Sequence, residues 1–171
     1  DLGLSAGTGN AINISGSVST AGTGTVALIA PTVNITGSVS AGDDVGSIAT
    51  SIILGPGSSI SAGHDVIFAA TALTANNASV VASHDISAGI ATDIHLNASS
   101  FVAGNDIFLN LLGTTSTLFL NDAAGLTPSY LWAKAIKKVH LEFAVRTSAV
   151  VVGDGTAGDP GEVATHSGAG G

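Results

Sequence analysis

The sequence contains no cysteine, so neither a disulfide nor a cysteine-based zinc site can contribute to its fold. It contains no methionine and begins with Asp1, from which we expect a processed product or an excised piece of a longer chain. Aromatic residues make up only 4% of the 171 residues and charged residues 9%, whereas hydrophobic residues make up 45%. A core built from such residues consists of thin layers of Ala, Val, Ile and Leu, which argues against a conventional globular enzyme. The high apolar content also argues against intrinsic disorder.

Positive charge is scarce and confined to the last third of the chain. The formal net charge is −8, and residues 1–133 carry eight carboxylates but no Lys or Arg; the cations are Lys134, Lys137, Lys138 and Arg146. Because nothing in residues 1–133 can neutralise phosphates, we expect neither nucleic acid nor an anionic lipid surface as a partner. The apolar runs are far shorter than a membrane span, so we expect no membrane insertion.

What the sequence does contain is a repeat of about twenty residues. Its most regular phrase recurs at spacings of 21, 20 and 21 residues, as AGDDV from Ala41, AGHDV from Ala62, ASHDI from Ala82 and AGNDI from Ala103. Two further Ala-Gly pairs, at Ala21 and Ala124, extend this register to six anchors. The repeat indicates stacked structural units rather than a single globular core.

Each repeat contains three short stretches in which apolar residues alternate with Ser, Thr or Asn, as half-buried strands do. Three strands separated by Gly, Asn, Ser and Asp turns form one coil of a parallel β-helix. We therefore predict an all-β solenoid of about six coils over residues 1–152. A short irregular insertion is expected at about 126–138, where residues 129–138 read as a loop or short helix. Residues 153–171 read as a flexible Gly/Ala-rich tail or linker.

Alternation from Val139 to Arg146 predicts a further strand, which lies 21 residues beyond Leu118 and Leu120. Tyr130 and Trp132 fall just before it, within the expected insertion. These two aromatic residues are interpreted as a plug at a corner of the helix. They are also the best candidates for a contact patch if their side chains are exposed.

Four aspartates, Asp44, Asp65, Asp85 and Asp106, occupy one phase of the repeat and should stack along one edge. Carboxylates stacked on neighbouring coils repel each other, by about 1 kcal/mol per pair at a separation of 4 Å in water. One interpretation is a line of calcium sites, since carboxylate oxygens suit that ion. The other is that each Asp accepts backbone N–H bonds in its turn and stays solvated. We favour the second, because the glycine-rich nonapeptide pattern of calcium-binding β-rolls is absent.

His64 and His84 share the position directly before that aspartate, and Asp43 and Asn105 occupy it in the neighbouring repeats. Two stacked imidazoles beside carboxylates can hold a transition metal, although exposed turn residues are the simpler interpretation. The sequence therefore predicts no metal centre and no cofactor. The two histidines and the four aspartates are the candidate ligands if a metal does bind.

An enzyme acting on polysaccharides is the main alternative for a β-helix. Glycoside hydrolysis needs two convergent carboxylates, for which Asp85 with Asp93, or Asp65 with Asp85, could serve. A lyase acting on uronates also needs cations to bind its substrate, and the coils have none. We therefore predict no catalytic residues.

Four Asn-x-Ser/Thr triplets precede the anchors by five to eight residues and should share one side of the column, at Asn13, Asn34, Asn77 and Asn97. In a secreted protein they are potential glycan acceptors. A chain rich in Asn, Ser and Thr yields such triplets readily, and Asn also serves turns, so glycosylation stays open at this point.

The phrases AGHDVIF, ASHDISA and AGNDIFL, with their period near twenty, resemble the shaft repeats of filamentous-haemagglutinin-type exoproteins of bacterial two-partner secretion. The resemblance covers about residues 6–125. It implies a right-handed β-helix at the cell surface or shed from it, with adhesive or biofilm roles. The Asn-Pro-rich motifs of the secretion domain are missing, so Asp1 would lie downstream of that region.

We accordingly expect a non-catalytic structural or adhesive shaft segment that is extracellular or on the cell surface. Its expected partners are glycans or proteins of host or neighbouring cells, or copies of itself. Six coils have two open ends of unpaired backbone, so a subunit that stacks end to end into a filament is one alternative. A β-helical polysaccharide lyase or hydrolase is the other.

Overall fold

A computed structural model of the chain describes residues 1–113, 116–121, 125–127, 130–134, 138–141, 150–153 and 162–164. These residues form β-strands joined by turns, with no helix, and accordingly no long apolar helix capable of crossing a membrane occurs among them. The strands are β1 (Leu2–Ser5), β2 (Ala11–Ile14), β3 (Ser17–Ser19), β4 (Val26–Ile35), β5 (Ser38–Ala41), β6 (Val45–Leu54), β7 (Ser59–Ala62), β8 (Val66–Asn76), β9 (Ser79–Ala82), β10 (Ile86–Ile90), β11 (Asp93–Asn97), β12 (Ser100–Ala103), β13 (Asp106–Leu111), β14 (Thr117–Asn121), β15 (Gly125–Thr127), β16 (Tyr130–Lys134), β17 (Lys138–Leu141), β18 (Val150–Gly153) and β19 (Glu162–Ala164).

The strands stack in parallel with their equivalents one repeat away, which makes the chain a parallel β-solenoid of about six turns with about 21 residues per turn. One sheet runs in the order β15-β12-β9-β7-β5-β3, and the other begins β1-β4-β6-β8-β10-β13-β16-β18. The second and third strands of a turn are continuous in β4, β6 and β8. They are separate in the first coil, as β1 and β2, and in later coils, as in β10 and β11. The predicted fold class is confirmed. The handedness implied by the resemblance stays a prediction.

Registration between coils is strict. Val45 pairs with Val26 on one side and Val66 on the other, and the same column continues through Ile86 and Ile107. All five side chains are fully buried, because alternate residues of each strand face the interior. The prediction that the repeats stack on one another is confirmed, and Val66 faces the interior.

The interior is narrow, and side-chain sizes compensate between neighbouring coils. Phe68 lies in a column between Ser47 and Ala88, so one large ring fills the space that two small residues leave. The Phe68 ring also meets Phe101 of the opposite sheet edge to face, with ring centroids 6.5 Å apart. Ser47 is buried, and its hydroxyl has no hydrogen-bond partner among the described residues. The core therefore consists of apolar ladders with few aromatic residues, as the composition predicted.

The predicted insertion at residues 126–138 needs a correction. Instead of a loop or short helix, Tyr130–Lys134 is strand β16, which pairs in parallel with β13. Ile107 pairs with Leu131, 24 residues later, so this coil is longer than its neighbours. The additional residues of this coil lie before β16 and not after it. Tyr130, not a residue beside Ala124, consequently occupies the register position of Asp106.

The Ala-Gly pair at Ala124 is therefore not a sixth anchor. Gly125 pairs with Ser100, four positions earlier in the repeat than the glycine of the true anchor at Gly104. The predicted strand beyond Leu118 is confirmed over Lys138–Leu141, where Val139 pairs with Leu118; residues 142–149 lie outside the described residues. Val150–Gly153 adds a further strand on β16.

Of the predicted tail at 153–171, the structure describes Gly153 and Glu162–Ala164. The latter is strand β19, which pairs antiparallel to β18. The remaining residues of that segment lie outside the described part of the chain, so the domain boundary at 152 and the flexible tail stay predictions.

Candidate functional site

The turns that connect the two sheets bring the candidate residues together along one edge of the solenoid. Each turn leaves a strand at a buried alanine, such as Ala62 at the end of β7, and enters the next strand after an aspartate, here Asp65. Successive turns approach closely: a Cβ atom at Gly63 would lie 2.1 Å from the carbonyl oxygen of Gly42. Small residues at this step let equivalent turns stack directly. We call His64, His84, Asp44, Asp65, Asp85 and Asp106 the Asp–His edge.

The four aspartates of this edge are linked by hydrogen bonds from coil to coil. The backbone N–H of Asp65 donates to Asp44 Oδ1 (3.0 Å), that of Asp85 to Asp65 Oδ1 (2.9 Å), and that of Asp106 to Asp85 Oδ1 (2.9 Å). The sequence interpretation expected acceptance of N–H groups within each turn. In the structure the donor belongs to the next coil instead, so the carboxylates of Asp44, Asp65 and Asp85 each join two layers of the stack.

The two histidines bridge the same carboxylates. His64 Nδ1 lies 3.3 Å from Asp44 Oδ1 and 3.2 Å from Asp65 Oδ2. His84 Nδ1 lies 3.0 Å from Asp65 Oδ1 and 3.2 Å from Asp85 Oδ2. The two imidazole rings stack with centroids 4.7 Å apart and planes only 5° from parallel. Imidazole nitrogens and carboxylate oxygens therefore alternate along the edge.

The surroundings of Asp65 lower the pKa of its carboxyl group. Burial raises the pKa of Asp65, but the hydrogen bonds from the Asp85 backbone N–H and from His84 act against it. The charges of His64 and His84 add to these bonds, and the net result is a pKa below the ordinary value of 3.8. Asp65 is consequently ionised at neutral pH and presents one oxygen to each histidine.

Two sets of side chains on or beside this edge bring metal-ligand atoms within 4.8 Å of one another. One is His64, Asp65 and His84; the other is Asp43, Asp44 and His64. Asp106 has no histidine in this geometry, because Asn105 takes that position and donates from Nδ2 to Asp85 Oδ1 (3.0 Å). The two sets together contain four of the six candidate ligands. Asp85 contacts His84 but belongs to neither set, and Asp106 lies at the end of the row.

The two carboxylate pairs considered for glycoside hydrolysis differ in their geometry. Asp85 precedes the five-residue strand β10 and Asp93 begins β11, so a strand about 16 Å long lies between them. Catalytic carboxylates of glycosidases stand only about 5–9.5 Å apart. Asp65 and Asp85 are neighbours, but an oxygen of each accepts a backbone N–H of the next coil.

One open surface groove, of about 430 Å³, lies elsewhere, at the bends of β4 and β6. Its lining is small, apolar or hydroxylated: Ala6, Gly7, Thr8, Ile29, Ala30, Pro31, Ile48, Ala49 and Thr50. No lining residue is titratable, so this groove offers no acid, base or metal ligand.

The potential glycan acceptors lie near the ends of strands of the larger sheet, on one side as predicted. Asn34 donates from Nδ2 to Asn13 Oδ1 (2.8 Å), and Asn97 does the same to Asn76 (2.8 Å). Asn77 occupies a turn with a left-handed backbone (φ 47°) and is exposed. Side-chain amides in the strands therefore form ladders between coils, whereas Asn77 serves a turn.

Tyr130 and Trp132 pair with Asp106 and Phe108 in the register of β13 and β16. Their side chains lie outside the described part of the structure, so the contact patch stays a prediction.

Sequence reasoning missed two further members of the carboxylate ladders. Asp1 Oδ1 accepts the backbone N–H of Thr25 (3.0 Å), which makes Asp1 the first residue of the aspartate column. Asp93 Oδ1 accepts the N–H of Thr117 (3.0 Å) at the start of another strand pair. The signal for Asp1 was present, since Asp1-Leu2 repeats the Asp-Val step of the anchors; Asp93 is a single occurrence without a repeat to reveal it.

Comparison of the chain with protein-family models, with curated proteins and with solved structures found no match.

Proposed function

We propose that this chain is a non-catalytic shaft segment of a filamentous protein that is secreted or held at the cell surface. The observation that supports this most directly is the unbroken parallel register from β1 to β13, in which each coil serves as the template for the next. Six coils at the spacing of strands span roughly 29 Å, so such a repeat converts chain length into reach.

The outer surface supports an adhesive role for that shaft. Serines repeat along the outer face of the smaller sheet, where the hydroxyl groups of Ser17 and Ser38 are hydrogen-bonded (2.8 Å) and Ser59 continues the column. Flat arrays of hydroxyl and amide groups bind glycans or extended polypeptides through many weak hydrogen bonds. The proposed partners are accordingly glycans or proteins on host or neighbouring cells.

Surface retention and turnover, measured on the same material, test the proposal. The purified chain is applied to a glycan array and to immobilised extracellular proteins, and is incubated with a panel of polysaccharides. We expect saturable retention on a subset of the surfaces and no release of shorter saccharides. Turnover that disappears in Asp85→Asn or Asp93→Asn would contradict the proposal and favour the enzyme.

The edges of the first coil favour a second role, end-to-end assembly. Among the described residues β1 and β2 pair only with β4, and β3 pairs only with β5, so each has one backbone edge without a partner. Such edges pair readily with another strand. A second copy, stacked on this coil, would extend the solenoid into a filament. Light scattering should then show a mass that grows with protein concentration, whereas a constant monomer mass would exclude self-stacking.

A further inference from the structure

The Asp–His edge places two imidazoles and one carboxylate in a geometry that goes beyond solvated turns. Asp65 presents its two oxygens to different histidines, with Oδ2 3.2 Å from His64 Nδ1 and Oδ1 3.0 Å from His84 Nδ1. The ligand atoms of all three side chains lie within 4.8 Å of one another. His64 and Asp65 come from one coil and His84 from the next, so the three groups span a coil boundary.

These separations match the requirements of a small divalent transition metal. Zinc binds imidazole nitrogen and carboxylate oxygen at about 2.0–2.2 Å, which places the ligand atoms of a tetrahedral site about 3.3 Å apart. Both nitrogen-to-oxygen separations are already close to that value. Because they involve different oxygens of Asp65, one oxygen must turn towards both histidines, and the two nitrogens must approach each other. The His64 and His84 side chains are 53% and 47% exposed, so both rings have room to move.

The stacked rings show what has to change when an ion binds. A metal lies in the plane of the imidazole that ligates it, but these rings are 5° from parallel with centroids 4.7 Å apart. Both rings must therefore tilt towards Asp65, and the stack opens. The surrounding charge favours this rearrangement, since Asp43, Asp44 and Asp85 flank the site. Residues 1–133 carry no Lys or Arg that could compete for these carboxylates.

We propose that His64, Asp65 and His84 bind one divalent transition-metal ion of the zinc type, with water in the remaining position. Calcium does not fit this donor set, because it takes six to eight oxygen ligands and imidazole offers none. Since the ligands come from two coils, the ion fastens adjacent layers of the solenoid. The site adds a stabilising bond to the shaft and requires no catalysis.

The repeat itself supplies a matched control for removing a ligand. Asn105 occupies the histidine position one coil further on and donates to Asp85 Oδ1 at 3.0 Å. His84→Asn should make the same bond to Asp65 and leave the coil folded, while it removes an imidazole ligand. His95→Asn is the control away from the edge, since His95 stacks on Phe119 of β14 (ring centroids 4.2 Å).

Binding is measured by native mass spectrometry and titration calorimetry with zinc chloride, and in parallel with calcium chloride. We expect one zinc ion per chain, no competition by calcium, and a melting temperature raised by about 5–10 °C at a zinc concentration 100 times the Kd. His64→Asn and His84→Asn should each weaken zinc binding by more than about 100-fold, because each removes a direct ligand. His95→Asn should bind as the unaltered chain does.

Asp43→Asn distinguishes this site from its neighbour. If Asp43, Asp44 and His64 held the ion instead, Asp43→Asn would abolish binding and His84→Asn would retain it, which would overturn the proposal. Absence of zinc binding to the unaltered chain, or displacement of zinc by millimolar calcium, would overturn it as well. Circular dichroism of each variant without metal verifies that loss of binding is not loss of the fold.

Discussion

Replacing Val66 by Asp tests the inward register of the solenoid most directly. The Val66 side chain is fully buried, with Val45 on one side of its column and Ile86 on the other. A carboxylate at this position has no cation within residues 1–133 with which to pair. The adjacent Ile67 faces outward and is 44% exposed, so Ile67→Asp is a control one residue away.

The size of the effect follows from the burial. Removing Val66 forfeits about 1.5–3 kcal/mol of apolar burial. Keeping the new carboxyl group neutral at pH 7 costs a further about 4 kcal/mol, because the ordinary pKa of Asp lies about three units below that pH. The sum is comparable to the total stability of a domain of this size, about 5–15 kcal/mol. Val66→Asp should therefore unfold much of the column, whereas Ile67→Asp should change the free energy of unfolding by less than about 1 kcal/mol.

Urea denaturation followed by far-ultraviolet circular dichroism measures both variants. The pKa of the introduced carboxyl is raised in the folded state, so the variant should recover stability as pH falls towards 4 and the group takes up a proton. Equal stability of the two variants at pH 7 would show that residues 66 and 67 do not face opposite sides, and the inward register would be wrong.

Three further predictions concern the core, the turns and the Asp–His edge. Phe68→Ala should lower the free energy of unfolding by about 3–5 kcal/mol in urea titrations, because the small Ser47 beside it cannot fill the cavity. Gly37→Ala should destabilise the first coils, since its Cβ would lie 2.0 Å from a carbonyl oxygen, whereas Gly46→Ala meets nothing within 4 Å and should melt normally. The lowered pKa of Asp65 stabilises the fold above pH 3.8, and this contribution is lost as pH falls through the folded-state pKa; acid titration of Asp65→Asn should lack that component.

Each of these has an outcome that contradicts it. A loss below about 1 kcal/mol in Phe68→Ala would mean that the column is not packed around that ring. Equal melting temperatures of the two glycine variants would show that the coils are not in close contact at Gly37. An unchanged acid titration of Asp65→Asn would mean that the coil-to-coil hydrogen bonds do not depress this pKa.

Much of the repeat was predictable because identical phrases mark identical places. The stacking of Asp65 under Asp85 and the pairing of Val139 with Leu118 follow from spacings of 20 and 21 residues. Prediction failed where the spacing changed. Beyond Leu111 the coil contains additional residues. The Ala-Gly pair at Ala124 therefore has the sequence spacing of an anchor, but Gly125 pairs with Ser100 and not with the anchor glycine Gly104.

Strand β16 was missed for a related reason. Leu131 and Ala133 pair in register with Ile107 and Leu109, but the aromatic and basic residues between and around them conceal the alternation in the sequence. A short segment with mixed side chains has no strong preference for one secondary structure. Its conformation is determined by pairing with the neighbouring strand. Tertiary pairing outweighs local propensity in such a segment.

The amino-acid sequence by itself determined the all-β class, the period and which residues face the interior, because a two-residue alternation repeated every twenty or so residues can bury its apolar side chains only by stacking. It also determined that the four aspartates share an edge. Only the tertiary structure decided what those aspartates do: which coil donates each N–H, and that Asp65 stands between His64 and His84 at 3.2 and 3.0 Å. Contacts of that kind depend on side-chain orientation across a coil boundary. The spacing of residues along the chain does not determine that orientation.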